Sequence, residues 1–584
     1  LKPFLFFLLF FNFGLSCFAQ NFQLKIIGNS SSENKIIDSL SYNSAHKNIK
    51  NLNDEIIITS KKLSEIGFIE NQILENTKTN DSSYIAKFRL GERIKSIHIY
   101  IGRKILFPIP SKGEVKETEM NNNVIIKDLI GLDKTNDTLI LPYGEIESFL
   151  NLTLQKLEQK GYALAKMKLA NILKKKHSLY AELQFDPGQQ RQLNAIVVQF
   201  TQGSQKNNFP EGHLTQINRK YHNNTFNQDI VHKIHDDFEK FGFVNQVKYP
   251  EILFTKDTTK VYIYLEKRKS NTFDGFIGFS NNKNNKINFN GYLDLNLENT
   301  LRAGELFSLY WKSDGNNQKT FKTGIELPYI FKSPFGLKAQ IHIFKQDSTY
   351  QNTKTAINLG YFIDYNTRIY LGYQSTESSD IQNTNNTTIS DFKNSYLTFN
   401  LEYSKFDYIN PTFSKKSNLS ITAGIGKRTT SNTPETVGTN KQFYINLNAM
   451  HNFYLNKKNC ININYQNYFL KSDTYIINEL FRFGGFNSIR GFTENSLQAN
   501  FTTAILTEYR YIVSDGLYFH SISDYGYYQD NSTNSKGNLL GLGLGLGLQT
   551  KNGLLKLAIA NGSTKNQEIK FYNTIIHICY NVKF

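Results

Sequence analysis

Residues Asn538–Gln549 read NLLGLGLGLGLQ. Leucine recurs at Leu540, Leu542, Leu544, Leu546 and Leu548, with Gly541, Gly543, Gly545 and Gly547 between them. A period of two belongs to a β-strand, whose successive side chains point to opposite faces. One face is a ladder of leucines suited to lipid. The other carries no side chains and leaves room for something to pack there. The stretch is not a dinucleotide fingerprint, because the glycines recur at every second residue and no helix follows.

The rest of the C-terminal half extends this pattern. From Thr272 onward, alternating segments of roughly ten residues recur between loops rich in Asn, Ser, Thr and Gly. About sixteen can be counted, from 272–280 to 570–584, an even number as bacterial barrels have. In the last one Tyr572, Ile576, Ile578, Tyr580, Val582 and Phe584 share a face. The chain holds 45 Phe and 34 Tyr, yet its mean hydropathy is −0.43. A transmembrane barrel produces this combination, since each strand shows lipid an apolar face and the lumen a polar one. Cys460 and Cys579 fall on non-adjacent strands, so no disulfide is expected between them.

A helical membrane protein would need runs of about 20 apolar residues, and only the N-terminus approaches that. Lys2 precedes PFLFFLLFFNFGLS, and Cys17 and Ala19 follow. This order predicts a secretory signal over residues 1–19, cleaved after Ala19. A lipoprotein signal at Cys17 is the alternative, although Gly14 stands where a lipobox carries Leu. The formal charge of +17 would suit nucleic acid if it were clustered. The lysines are instead dispersed among Asn and Ser, which predicts wet loops near anionic lipid headgroups and no nucleic-acid partner.

Between leader and barrel one pattern occurs three times, as KLSEIGF (Lys62–Phe68), KLEQKGY (Lys156–Tyr162) and DFEKFGF (Asp237–Phe243). Each closes a helical stretch with a glycine, Gly67, Gly161 or Gly242, and then an aromatic. Glycine takes the left-handed cap conformation at little cost. Two extended runs follow each pattern, the last pair being Val244–Phe254 and Lys260–Lys267, and one strand precedes each helical region. Repeats of this size mean an array of small domains, here 20–92, 93–189 and 190–269, with the barrel at 270–584.

The loop before the twelfth strand reads FRFGGFNSIRGF, Phe481–Phe492. Arg490 offers a rigid five-donor fork for carboxylates, and Gly491 allows the turn that aims it. On the next strand Glu508 and Arg510 share a face, while Ile505, Tyr509 and Tyr511 take the other, so the charged face is the lumen. Asp524 on the following strand is a second acceptor, with Gly526 leaving space beside it. Arg490 is expected to contact Asp524, Glu508 or both.

Taken together these features resemble the BamA/TamA family of outer-membrane assembly translocases, in which polypeptide-transport-associated (POTRA) domains precede a barrel. The resemblance covers essentially the whole chain after the leader. In the family the sixth extracellular loop folds into the lumen with a [VI]RG[FY] tip, which Ile489, Arg490, Gly491 and Phe492 match at all four positions. The family motif F-x-D-x-G is met by Asp524 and Gly526, with Ile522 in place of Phe. Tyr580, Val582 and Phe584 resemble the C-terminal β-signal of outer-membrane barrels generally, with Cys579 where the pattern has Gly. Three repeats look more like the TamA branch than the five-repeat BamA branch. The expected fold is α+β POTRA repeats followed by an all-β transmembrane barrel of about sixteen antiparallel strands.

The resemblance implies insertion of unfolded outer-membrane protein clients. The repeats would meet them, partly by adding a strand to a sheet edge, and the barrel seam would template them. It places the protein in the outer membrane of a Gram-negative bacterium, among outer-membrane lipids, with the repeats in the periplasm. It also leaves room for a periplasm-spanning inner-membrane partner. Two other readings stay open: a two-partner secretion transporter exporting a dedicated protein, and a passive porin-like barrel. No cofactor is implied. No Gly-x-Ser-x-Gly elbow, HExxH or phosphate-binding loop occurs, so no enzymatic activity is expected. His232 and His235, followed by Asp236 and Asp237, read as a solvated helix face rather than a metal site.

Overall fold

The computed structural model describes residues 21–583 apart from 102–116, 132–136, 202–208, 282–286, 315–317, 383–388, 408–409, 434–435, 551–552, 566–567 and 571–573. The expected signal segment and Phe584 lie outside the described residues. Among the described residues no helix is long and apolar enough to cross a membrane. The chain forms two compact units. One holds the first two repeats with residues 223–230, and the other holds the remainder of the third repeat and the barrel.

Each repeat is built on a parallel strand pair. In the first, Phe22–Gly28 lies parallel to Ser83–Arg89, and Gln72–Lys78 adds an antiparallel edge. Helix Ile49–Glu65 starts where the Asn48 side chain accepts from Asn51 N, an N-cap that satisfies an otherwise orphaned donor. Its Leu52, Ile56 and Leu63 form one apolar stripe, buried against Leu24, Ile26, Ala86 and Phe88. The second repeat pairs Ser96–Ile101 with Ser178–Asp186 in the same parallel sense. The third pairs Ala195–Phe200 with Thr259–Lys267. There the expected run Val244–Phe254 is two strands, Val244–Gln246 and Glu251–Phe254. Pro250, which has no N–H to donate, falls in the break.

Two of the three repeat glycines are left-handed caps. Gly67 has φ +105°, and Phe68 N donates to Leu63 O at 2.9 Å while Gly67 N donates to Ser64 O at 3.1 Å. Gly161, at φ +92°, repeats this with Tyr162 N to Leu157 O and Gly161 N to Glu158 O. Both are Schellman ends. Gly242 corrects the expectation, because its φ is not positive. Helix Gln228–Glu239 stops one residue sooner relative to the motif, so the glycine stands beyond the capping position. A close approach explains it instead: a Cβ there would lie 2.6 Å from Glu298 Oε2 at the end of the second barrel strand.

The barrel closes with sixteen antiparallel strands, from Thr272–Asn281 to Ile575–Lys583. In the fourteenth, Ser535–Thr550, Leu544 is 69% exposed on the outer face. Cys460 and Cys579 are both free thiols.

Helix Glu211–Tyr221 of the third repeat packs against the barrel turns on its side. His213 is buried, with its ring centroid 4.8 Å from Tyr329 and 5.3 Å from Phe241. Gln216 Nε2 donates to Lys332 O at 2.6 Å. Burial, with Arg368 adding to it, pushes the His213 imidazole down to about 3. In an unfolded chain a histidine takes its proton near 6.5. The joint is therefore at full strength above about pH 6.5 and weakens as pH falls toward 3. Between pH 7 and 5 the expected loss is about 2 kcal/mol. Thermal unfolding of the intact protein in detergent at the two pH values checks it, and His213→Phe should flatten the difference. Asp237 acts lower. Burial alone would push its carboxyl up, but Lys220, Lys240 and Tyr221 outweigh that and hold it below the ordinary range, so its contribution is lost only as pH falls through about 4 and below.

Candidate functional site

The loop between barrel strands eleven (Asn459–Lys471) and twelve (Phe501–Ser514) folds back on itself. Phe481–Phe483 pairs antiparallel with Leu497–Ala499 to make its stem. Phe483, Ile489 and Phe492 pack with Ala504, Leu506 and Leu539 of the barrel wall. The tip thus lies inside the barrel on its own apolar contacts before any charge is counted.

Arg490 fixes the tip. Its backbone N donates to Asp524 Oδ2 at 2.9 Å, Nε donates to the same oxygen at 2.8 Å, and Nη2 donates to Oδ1 at 2.6 Å. Nη1 donates to Glu508 Oε1. Arg510 then grips the other oxygen of Glu508, with Nε at 2.7 Å and Nη2 at 2.6 Å. Arg490 reaches both acceptors, on strand twelve and on strand thirteen (Leu517–Asp530). Asp524 has no solvent exposure. Two guanidiniums meet two carboxylates, so the group carries no net charge, which is the condition under which buried ions are tolerated.

The glycines make the bed. A Cβ on Gly541 would lie 2.3 Å from Arg490 O, so the bare face of the fourteenth strand receives the loop tip. Gly491 has φ +87°, and a Cβ there would lie 2.4 Å from Asn561 C and Gly562 N of strand fifteen. Beside Asp524, the space at Gly526 is taken by Ile489 Cδ1, 3.2 Å from where a Cβ would stand.

A second anchor was not apparent in the sequence. At the start of the loop Glu479 pairs with Arg428 of strand nine, and each side chain is 2% exposed. Arg428 Nη2 also donates to Thr474 Oγ1 at 2.6 Å, and Gln442 Nε2 donates to Glu479 Oε2 at 2.9 Å. Next to them Asn478 Nδ2 donates to Ser378 Oγ and to Ser390 O, both at 2.8 Å. Beyond the tip, Glu494 meets Lys312 of strand three. The loop is held at its base and at its tip by separate ion pairs.

Other residues singled out in the sequence lie apart from this group. On the last strand Tyr580 is 38% exposed, and Val582 stands opposite both Gly553 and Phe273. His232 Nδ1 lies 2.7 Å from Tyr249 OH, and His235 Nδ1 lies 2.8 Å from Gln246 Oε1.

Solved structures similar to this chain include CdiB from Acinetobacter baumannii, 15% identical over 84% of this chain and 90% of that one, with TM-score 0.48. BamA from Haemophilus ducreyi lacking POTRA domains 1–3 is 16% identical over 83% and 99%, with TM-score 0.46. CdiB from Escherichia coli is 11% identical over 91% and 98%, with TM-score 0.47. No curated protein matches the sequence. The Omp85 superfamily domain matches residues 299–575, a span that contains the clamped loop and every partner of Arg490. Residues 299–575 are thus similar to the Omp85 superfamily domain, and they form strands three to fifteen of this closed β-barrel.

Proposed function

We propose that the protein inserts other outer-membrane proteins, with its barrel seam as the template. The observation that carries this reading is the closure of the barrel. Strands one and sixteen share two residue pairs, Thr272↔Lys583 and Phe273↔Val582. The ladder next to it, between strands fifteen and sixteen, runs from Gly553↔Val582 to Ala560↔Ile575. Among the described residues, no ladder pair crosses the seam beyond Phe273. A side-chain contact does, as Cys579 Sγ donates to Asp274 Oδ2 at 2.9 Å.

The energetics favour exchange at this point. An unsatisfied backbone group in hydrocarbon costs several kcal/mol, so the open edges of strands one and sixteen gain by pairing with another strand. Two existing pairs are a small barrier, at about 1 kcal/mol per hydrogen bond in water. A client strand that added along 274–281 would satisfy the edge and enter the membrane already paired.

In this reading the repeats lie in the periplasm of a Gram-negative bacterium and receive unfolded clients. Their open edges, such as Gln72–Lys78, which is exposed along its length, suit strand addition. The doubly anchored loop argues against a passive pore, since diffusion needs an open lumen. The test is the folding rate of an unfolded barrel protein in liposomes that contain this protein. Acceleration over empty liposomes is expected. No acceleration would favour export of a dedicated partner instead.

A further inference from the structure

Among the described residues, one group of charges on the lumen wall has no ion-pair partner. Strand register sets Tyr310, Lys322, His342 and Lys354 opposite one another across strands three to six, in a single row. All four line a lumen cavity of about 760 Å³. Adjacent strands lie only about 4.8 Å apart, so Lys322 and Lys354, on either side of His342, hold two like charges about 10 Å apart on one face. Elsewhere on this wall such charges are paired: Arg368 with Glu326, Lys338 with Glu402, Arg428 with Glu479. Among the described residues no hydrogen bond or ion pair reaches Lys322, His342 or Lys354. Lys322 instead lies 5.7 Å from the Tyr310 ring centroid. Three acids border the cavity, and each has another partner in direct contact: Glu479 has Arg428, Glu494 has Lys312 and Asp294 has Asn296 Nδ2, while Glu494 acts on Lys322 through space without an ion-pair contact.

We infer that this row binds a phosphate-class oxyanion in the barrel lumen. Two ammonium groups flank an imidazole across two strand spacings, about 10 Å. Their flexible stems can converge on a ligand with two anionic groups, which ammonium holds as a point charge. A confined lumen lined by one sign of charge concentrates such an ion. The ligand chemistry is that of inorganic pyrophosphate or of a bis-phosphorylated lipid headgroup.

The test titrates inorganic pyrophosphate into the full-length protein in non-ionic detergent and follows binding by calorimetry. Saturable binding is expected. It should weaken at least tenfold in Lys322→Gln/Lys354→Gln, and survive both in Lys354→Arg and in Lys338→Gln, whose lysine is already paired. The empty row is self-repelling, so Lys354→Gln should raise the unfolding midpoint without ligand, while pyrophosphate should raise it only when the row is intact. No saturable binding to the natural chain would overturn the inference, as would binding unmoved in a double variant that keeps its folded gel mobility. Repeating the titration in nanodiscs with a bis-phosphorylated glycolipid separates the sources. Competition marks a headgroup ligand, and unchanged affinity marks the free oxyanion.

Discussion

Arg490→Ala is expected to destabilise the folded barrel by roughly 3–5 kcal/mol, the cost of leaving one partner of a buried pair alone. Asp524 has no exposure and would lose both guanidinium donors. Glu508 would keep Arg510, so the damage centres on strand thirteen. Arg490→Lys should recover little, because an ammonium cannot reproduce a fork that reaches both carboxylates. Arg490→Ala combined with Asp524→Ala should cost less than the two single losses added, since the second removes the charge that the first strands. Urea unfolding in detergent, followed by loss of the faster gel mobility of the folded barrel, gives all three numbers. Equal stability of Arg490→Ala and the natural chain would mean that the tip is held by its apolar contacts alone.

Glu479→Ala should be as costly for a different reason. Arg428 would remain 1% exposed with Thr474 as its partner, and an uncompensated buried charge again costs roughly 3–5 kcal/mol. The loop would loosen at its base while the Arg490 group stays intact, so proteolysis near residues 474–482 should rise. Replacing both members with apolar residues of similar volume, Arg428→Met with Glu479→Leu, should return most of the stability. If the apolar pair is as unstable as the single variant, the ion pair does more than satisfy its own charges. Losses from the two anchors should add, because they share no partner.

What could be read in the sequence follows how local each signal is. The alternation at Leu540–Leu548 needs only the strand period, and those residues lie on a strand of the closed barrel. The partners of Arg490 were readable because Glu508 and Asp524 sit on the next two strands, within 34 residues. Arg428 and Glu479 lie 51 residues apart in no shared motif, and an arginine on the polar face of a strand looks the same whether paired or free. The row of Lys322, His342 and Lys354 depends on inter-strand register, which composition and period do not reveal. Gly242 looked like its two counterparts in motif, but the helix before it ends a residue sooner. The seam strands could be placed from their alternation, whereas their two-pair closure is a property of the closed barrel and appears in neither strand alone.

The most direct test of the account locks the seam. Phe273 and Val582 are opposed across it, a spacing compatible with a disulfide. Phe273→Cys with Val582→Cys, in a background with Cys460→Ser and Cys579→Ser, would be placed in liposomes and supplied with an unfolded barrel protein. The oxidised form should fold the client no faster than empty liposomes, and reductant should restore the rate in the same sample. Client folding that is equally fast in the oxidised and reduced forms would contradict a templating seam.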